Sequence, residues 1–143
     1  MPQGGMSIAS VLSPVFVQVA LTFVLLFWMG RVRYASAGRG EVRVKDIALG
    51  QKVWPPKVQQ IANAFHNQLE IPLFFYILVA FALITQQTGT LFVALSWLFV
   101  ASRLVHAYIH VTSNDVRYRG PAYIVGVFVL IAMWIGFALS ILL

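Results

Sequence analysis

Two groups of polar side chains lie in otherwise apolar stretches, and both contain residue types that bind ligands or move protons. Members of the first group are spaced at i, i+3, i+4 and i+7, which places them on one face of a helix: Asn63, His66, Asn67 and Glu70. The second group has the spacing i, i+3 and i+7: Arg103, His106 and His110. Ionisable groups within an apolar span face other helices or water, so both groups are candidates for function.

Each candidate also has a purely structural interpretation. Glu70 and Arg103 could form an ion pair that only fixes helix packing, and Asn67 could bond a neighbouring helix. The histidines have structural interpretations as well: His66 as an interfacial side chain, His106 as a packed, hydrogen-bonded one, and His110 as a residue at a helix end. A metal site would combine His106 and His110 at i, i+4 with a further ligand. The chain has no cysteine and no HExxH motif, so we expect no metal.

The composition indicates the kind of element that positions these groups. The 143-residue chain is 60% hydrophobic and 10% charged, with a mean hydropathy of +0.84. A soluble domain is roughly 45–50% apolar and about a quarter charged. Four segments reach the ~20 apolar residues that a helix needs to cross the hydrocarbon, at about 8–30, 56–87, 91–111 and 121–143. The predicted fold is therefore all-α, a single domain (1–143) that forms an integral membrane four-helix bundle. The first segment is too long for the apolar part of a signal peptide, so we expect a retained helix.

The cations are concentrated in two connections on the same side of a four-helix protein. Seven follow the first helix: Arg31, Arg33, Arg39, Arg43, Lys45, Lys52 and Lys57. Arg117 and Arg119 lie between the third and fourth helices. The positive-inside rule therefore predicts that both connections are cytoplasmic and that both termini lie on the other side. With the charges placed in this way, the sequence pI of about 10.2 follows from membrane topology, and no nucleic-acid partner is expected.

The second helix has a part that protrudes from the bilayer. From Lys57 to Glu70 its apolar and polar residues fall on opposite faces at helical spacing. Pro72 follows, and because proline removes a donor and clashes with the preceding turn, it should kink the helix near its entry into the bilayer.

This topology brings the polar groups to a common depth. The second helix rises from the cytoplasm while the third descends toward it, so Glu70 and Arg103 can meet in the cytoplasmic half of the bilayer. Arg119 and Tyr123 are one turn apart at the start of the fourth helix, and Arg33 follows the first. All four helices thus supply polar groups at one level, which predicts a polar pocket between them.

The stretches that carry these residues resemble the MAPEG family, the membrane-associated proteins in eicosanoid and glutathione metabolism. The matching stretches are 63–72 (Asn-Ala-Phe-His-Asn-Gln-Leu-Glu-Ile-Pro), 103–106 (Arg-Leu-Val-His), 117–123 and 30–33. The resemblance implies a homotrimer of four-helix bundles whose second helices line the central axis. In glutathione-using members the tripeptide lies between neighbouring protomers near the cytoplasmic face. The pattern is similar to the bacterial branch of the family, which implies a bacterial inner membrane.

The resemblance also implies roles for individual residues. Arg119 and Tyr123 would be catalytic, with the arginine stabilising a thiolate and the tyrosine beside it. The implied glutathione-binding residues are Arg33, Asn63, His66, Asn67, Glu70, Arg103, His106 and His110. Asn63 and His66 stand where glutathione users often carry arginines, and His110 replaces a tyrosine. In prostaglandin E synthase a serine follows the key arginine, where this chain has Gly120.

Two functions from different classes follow. The first is a glutathione-dependent transferase or peroxidase acting on hydrophobic electrophiles that arrive from the lipid between helices one and four. The alternative is a non-catalytic trimeric membrane protein, structural or lipid-binding, which the residues Asn63 and His66 favour. A small multidrug transporter would carry a glutamate in its first helix, where this chain has Gln18 as its strongly polar member.

Overall fold

The computed structural model describes residues 5–50 and 53–143, so Lys52, one of the predicted cytoplasmic cations, lies outside the described residues. The elements are α1 (Ile8–Gly38), α2 (Val44–Ala48), α3 (Pro56–His66), a 3₁₀ turn (Asn67–Leu69), α4 (Ile71–Ile84), α5 (Thr90–Val111) and α6 (Val116–Leu142). Four stretches are long and apolar enough to cross a membrane: α1, α3 with α4, α5, and α6. The predicted all-α, four-helix membrane fold is confirmed. We call the end with connections 39–55 and 112–115 the basic end, and the end with connection 85–89 the opposite end.

The first helix ends at Gly38, well beyond the predicted end near residue 30. A Schellman motif stops it. Gly40 has a φ of 72°, and its N–H donates to the carbonyl of Ala37 at 3.0 Å. The N–H of Glu41 donates to the carbonyl of Ser36 at 3.1 Å. The predicted end was wrong because hydropathy measures the part of a helix that lies in lipid, whereas capping determines where the helix stops.

The fourth helix begins at Val116 rather than near residue 121. Asp115 is its N-cap, with Oδ1 accepting from the N–H of Arg117 at 2.9 Å. Pro121 therefore lies inside the helix, where it removes one backbone bond, and does not mark the start. The capping carboxylate extends the helix by more than a turn beyond its apolar part.

The second span is broken close to the predicted kink. α3 ends at His66, and Glu70, with φ −92° and ψ −108°, separates the 3₁₀ turn from α4. Pro72 sits in the first turn of α4, where its missing N–H costs nothing. Its ring would clash with the carbonyl of Gln68 in a continuous helix. The break frees backbone carbonyls of one turn for bonds to another helix.

Packing differs along the bundle. In the middle, Phe75 of α4 and Phe99 of α5 are wholly buried, with ring centroids 4.7 Å apart. Toward the basic end several of the buried side chains are small: Ala62 and Ala64 of α3 and Ala107 of α5. Such small side chains let helices approach closely within a membrane. This close approach positions α3 against α5, and the two helices carry five of the ten predicted site residues.

Candidate functional site

Arg103 of α5 lies at the centre of the polar residues and is wholly buried. Its Nη2 donates to the backbone carbonyl of Asn67 at 3.1 Å, to the side-chain oxygen of Asn67, and to Gln68 Oε1 at 3.4 Å. A buried guanidinium needs such partners because an unpaired charge is costly away from water. The break before α4 supplies one of them, since in a continuous helix the carbonyl of Asn67 would bond four residues ahead.

Asn67 connects Arg103 to Glu70. Its Nδ2 donates to Glu70 Oε2 at 3.1 Å while its oxygen accepts from the guanidinium. The direct Glu70–Arg103 ion pair considered from the sequence is not formed, because Asn67 lies between them and Glu70 is exposed at the break. The ion pairs within the described residues are Arg39–Glu41, Arg43–Asp46 and Arg117–Asp115.

A buried pair of amides, missed by the sequence analysis, extends this network to α1. Gln18 Nε2 donates to Gln68 Oε1 at 3.0 Å, and Gln68 Nε2 donates to the carbonyl of Ala64 at 3.0 Å. Both glutamines are at most 1% exposed. The signal was present in the sequence: Gln68 follows Ile61 and Ala64 at helical spacing, which places it on the buried stripe of α3 rather than on the polar face.

Tyr123 of α6 and the histidines of α5 complete the polar region. The Cζ of Arg103 lies 5.7 Å from the centroid of the Tyr123 ring, within cation–π range. The ring of His106 is 5.5 Å from that of Tyr123 and 5.5 Å from that of His110. His106 Nδ1 lies 3.1 Å from the backbone carbonyl of Arg119. Because a carbonyl only accepts, Nδ1 carries the proton and Nε2 of the neutral ring is an acceptor.

Several buried polar atoms of this region have no hydrogen-bond partner among the residues that the structure describes. They are Arg103 Nε, Arg103 Nη1, His106 Nε2 and His110 Nδ1. Buried polar atoms are nearly always paired in folded proteins, so a group of unpaired ones is typical of a binding site. The set offers N–H donors on a cation next to an imidazole acceptor, which suits a ligand with both carboxylate and N–H groups.

The guanidinium of Arg119 forms its hydrogen bond with the connection between α5 and α6. Its Nη1 donates to the side-chain oxygen of Asn114 in the α5–α6 connection, where Asn114 has a φ of 54°. Arg119 therefore contacts the polar region through its backbone carbonyl, which accepts from His106 Nδ1. Its side chain, half-buried, is held by a neutral amide and not by a carboxylate.

Three predicted residues lie apart from this network. The Cζ of Arg33 stands 5.1 Å from the centroid of the Trp54 ring, so it joins α1 to the connection before α3. Asn63 is exposed and its Oδ1 accepts from Gln59 Nε2 at 2.7 Å. His66 is exposed on the same face of α3. These residues are not brought against Arg103 within one chain.

We name the residues that are in contact around the buried guanidinium the Arg103 cluster: Asn67, Gln68, Glu70, Arg103, His106 and Tyr123. His110 and the backbone of Arg119 adjoin it through His106. In the described part of the chain, no three His, Cys, Asp or Glu side chains are grouped to hold a metal ion.

Four apolar spans enclosing one polar cluster near their basic end define a multi-pass helical membrane protein. The model of the MAPEG family matches residues 11–139, which include the whole cluster. The chain belongs to the MAPEG family, and the resemblance seen in the sequence is confirmed. No curated protein and no solved structure gave a match to it.

Proposed function

We propose that the Arg103 cluster is the polar pocket of a membrane enzyme that uses glutathione as a nucleophile, a transferase or peroxidase acting on hydrophobic electrophiles. One observation carries the proposal: in a MAPEG chain, a wholly buried arginine keeps two guanidinium nitrogens, Nε and Nη1, without a partner among the described residues. Glutathione carries the carboxylates and amides that such donors recognise.

The residues present fit a peptide of this chemistry. Arg103 Nε and Nη1 would receive a carboxylate or carbonyl oxygen, and His106 Nε2 would accept an N–H. Glu70, exposed at the break, would pair with the amine. Asn63 and His66 face outward on α3, so they would reach the same ligand only from a neighbouring protomer. This arrangement favours a homotrimer whose pockets lie between protomers, with Arg33 contributing from the end of α1.

Bound glutathione would supply the thiol. The chain's contribution is the positive charge of Arg119, because a nearby cation favours the thiolate over the thiol. Its partner Asn114 is neutral, so the charge is not cancelled by that bond. Tyr123, packed between Arg103 and His106, would orient the sulfur by a hydrogen bond from its hydroxyl.

Glutathione titration by calorimetry on detergent-purified protein tests the proposal, combined with conjugation to chlorodinitrobenzene. We expect binding heat from the wild type and from Arg119→Ala, with conjugation slowed roughly 10- to 100-fold in the variant and recovering as the pH rises. Arg117→Ala is the matched control, since Arg117 is exposed two residues away. A wild type that binds no glutathione and conjugates nothing would overturn the proposal.

The second candidate is a non-catalytic trimer, and the hydrogen-bond network favours it. The chain of bonds from Gln18 through Gln68 and Arg103 to Asn67 joins three spans without any ligand. On this alternative glutathione shifts the melting temperature of neither the wild type nor any variant. On the enzymatic proposal glutathione raises it in the wild type.

We further propose that the basic end faces the cytoplasm of a bacterial inner membrane, as the positive-inside rule predicts. The absence of native cysteine makes the test direct. Lys45→Cys at the basic end should be protected from a membrane-impermeant maleimide in intact cells, and Gln87→Cys at the opposite end should react. The reverse labelling pattern would show that the basic end faces away from the cytoplasm.

A further inference from the structure

A groove runs along the surface between α1 and α5 and ends near the basic end. It has a volume of about 330 Å³, and its lining includes Leu21, Val24 and Trp28 of α1 and Leu104, Tyr108 and Val111 of α5. The α1 residues are spaced i, i+3 and i+7, so the groove follows one stripe of that helix for about 10 Å. None of these residues belongs to the Arg103 cluster, so the groove is independent of the function proposed above.

Aromatic side chains mark the mouth of the groove. Trp28 is 38% exposed and Tyr108 is 70% exposed. Tryptophan and tyrosine concentrate at the boundary between hydrocarbon and headgroups, where one part of the ring is apolar and the other is wet. The mouth therefore lies at headgroup depth, and the rest of the groove lies among acyl chains.

Two cations stand just beyond the mouth. Arg31 is exposed and continues the stripe of α1 that lines the groove, one turn after Trp28. Lys57 is exposed, and its Nζ donates to the carbonyl of Val111, which lines the groove on the other side. An ammonium group has three donors, so Lys57 keeps two for another acceptor.

Neither cation has an acidic partner within the described chain, and the same is true of Arg33 and Lys45. In the same connection, Arg39 pairs with Glu41 at 2.9 Å and Arg43 with Asp46 at 2.8 Å. The α1–α5 groove therefore combines an apolar lining with an aromatic mouth and two cations that no acidic side chain of the described residues neutralises.

We propose that the α1–α5 groove binds one anionic phospholipid, with an acyl chain along the groove and the phosphate held between Arg31 and Lys57. The two cations at the mouth select an anionic headgroup as the occupant, because its phosphate complements their charge. Basic residues at a membrane surface bind anionic headgroups in the same way.

Native mass spectrometry with added lipid tests the charge. We expect phosphatidylglycerol to bind several-fold more tightly than phosphatidylcholine. Arg31→Gln should weaken phosphatidylglycerol binding roughly fivefold, and Lys57→Gln, which retains a donor for Val111, should do the same. Lys45→Gln removes an exposed cation of α2 away from the groove and is the matched control. Equal losses in all three variants, or no preference between the lipids, would overturn the proposal.

Fluorescence quenching tests the groove itself. Trp28 emission, isolated as the difference between the wild type and Trp28→Phe, should be quenched more by brominated phosphatidylglycerol than by brominated phosphatidylcholine. Val24 is 61% exposed, so Val24→Phe should fill the groove without disturbing the core and should weaken the binding of phosphatidylglycerol. Equal quenching of Trp28 by both lipids would contradict the proposed lipid site. So would the absence of quenching, which would mean that a second protomer covers Trp28.

Discussion

The guanidinium of Arg103 donates to the backbone carbonyl of Asn67, so the third transmembrane span is bonded to the break in the second. The bond links a feature of backbone geometry to a buried charge. Without the break the carbonyl would be used inside a helix, and without the arginine it would lack this partner. The polar cluster therefore depends on both features, and each can be changed separately.

Replacing Arg103 should destabilise the protein. Arg103→Met removes the donor and leaves buried acceptors on Asn67 and Gln68 unsatisfied, at a cost of about 1–3 kcal/mol for each. Arg103→Lys retains the charge but lacks the planar fork, so we expect an intermediate effect. The measurement is the melting temperature in one detergent, with the exposed Arg117→Ala as control. If Arg103→Met has the same melting temperature as the Arg117→Ala control, the hydrogen-bond network around Arg103 has no structural role.

The buried amide pair gives a second prediction. Gln18→Leu and Gln68→Leu should each destabilise the fold, because each leaves its partner with an unsatisfied group. The double variant should lose less than the sum of the two, with a coupling of roughly 0.6 to 1.7 kcal/mol, the range for interhelical bonds in membranes. A double-mutant cycle of unfolding free energies measures this coupling. Additive losses would mean that the 3.0 Å bond contributes nothing to stability.

Much of the fold could be predicted because membrane crossing has a simple physical requirement. Twenty apolar residues are needed, and the sequence contains four such stretches. Helical spacing also placed Arg103 and His106 on one side of α5, facing the second span. Spacing could not reveal which atoms bond, because the break after His66 shifts the positions of Asn67 and Gln68 relative to α3.

The missed features depend on local geometry that hydropathy does not record. The end of α1 depends on Gly40 in the left-handed region. The direction of Arg119 depends on a side-chain rotamer and on Asn114, itself in a left-handed turn. Gln68 was overlooked because its role in the buried network can be inferred only once its partner, Gln18, is known to face it.

The contact between α5 and α6 gives a third prediction. A Cβ placed on Gly126 would lie 2.7 Å from Ser102 Oγ, so Gly126→Ala should displace this hydroxyl from its bond to the carbonyl of Phe99 and cost about 0.5–1.5 kcal/mol. Ser102→Ala removes the clashing oxygen and should rescue the variant. Gly136 of the same helix has nothing within 4 Å, so Gly136→Ala is the control and should be neutral or stabilising. The melting temperatures of the wild type, the two single glycine variants and the Gly126→Ala, Ser102→Ala double variant are compared in one detergent. A Gly126→Ala variant as stable as Gly136→Ala would contradict close packing of α5 and α6 at Gly126.

The cap at the end of α1 should respond to acid. Hydrogen bonds from Arg39 and then Ser36 lower the pKa of Glu41 below its ordinary value of 4.5. The bond to Glu41 and its negative charge raise the pKa of Arg39. A carboxyl whose folded pKa is depressed contributes stability above its unfolded pKa and loses it as the pH falls through the folded value. We therefore expect the cap to be intact at neutral pH and to loosen only below about pH 4.5.

Carbon-13 NMR titration of the Glu41 carboxyl in micelles measures this pKa directly. Arg39→Gln should return it toward 4.5, as should high salt, because the group is exposed and its charge interaction is screened. Glu41→Gln should abolish the acid-dependent loosening of the helix end, read from amide shifts of Ser36 and Gly40. If Glu41 titrates at its ordinary value in the wild type, the motif is held by its backbone bonds alone.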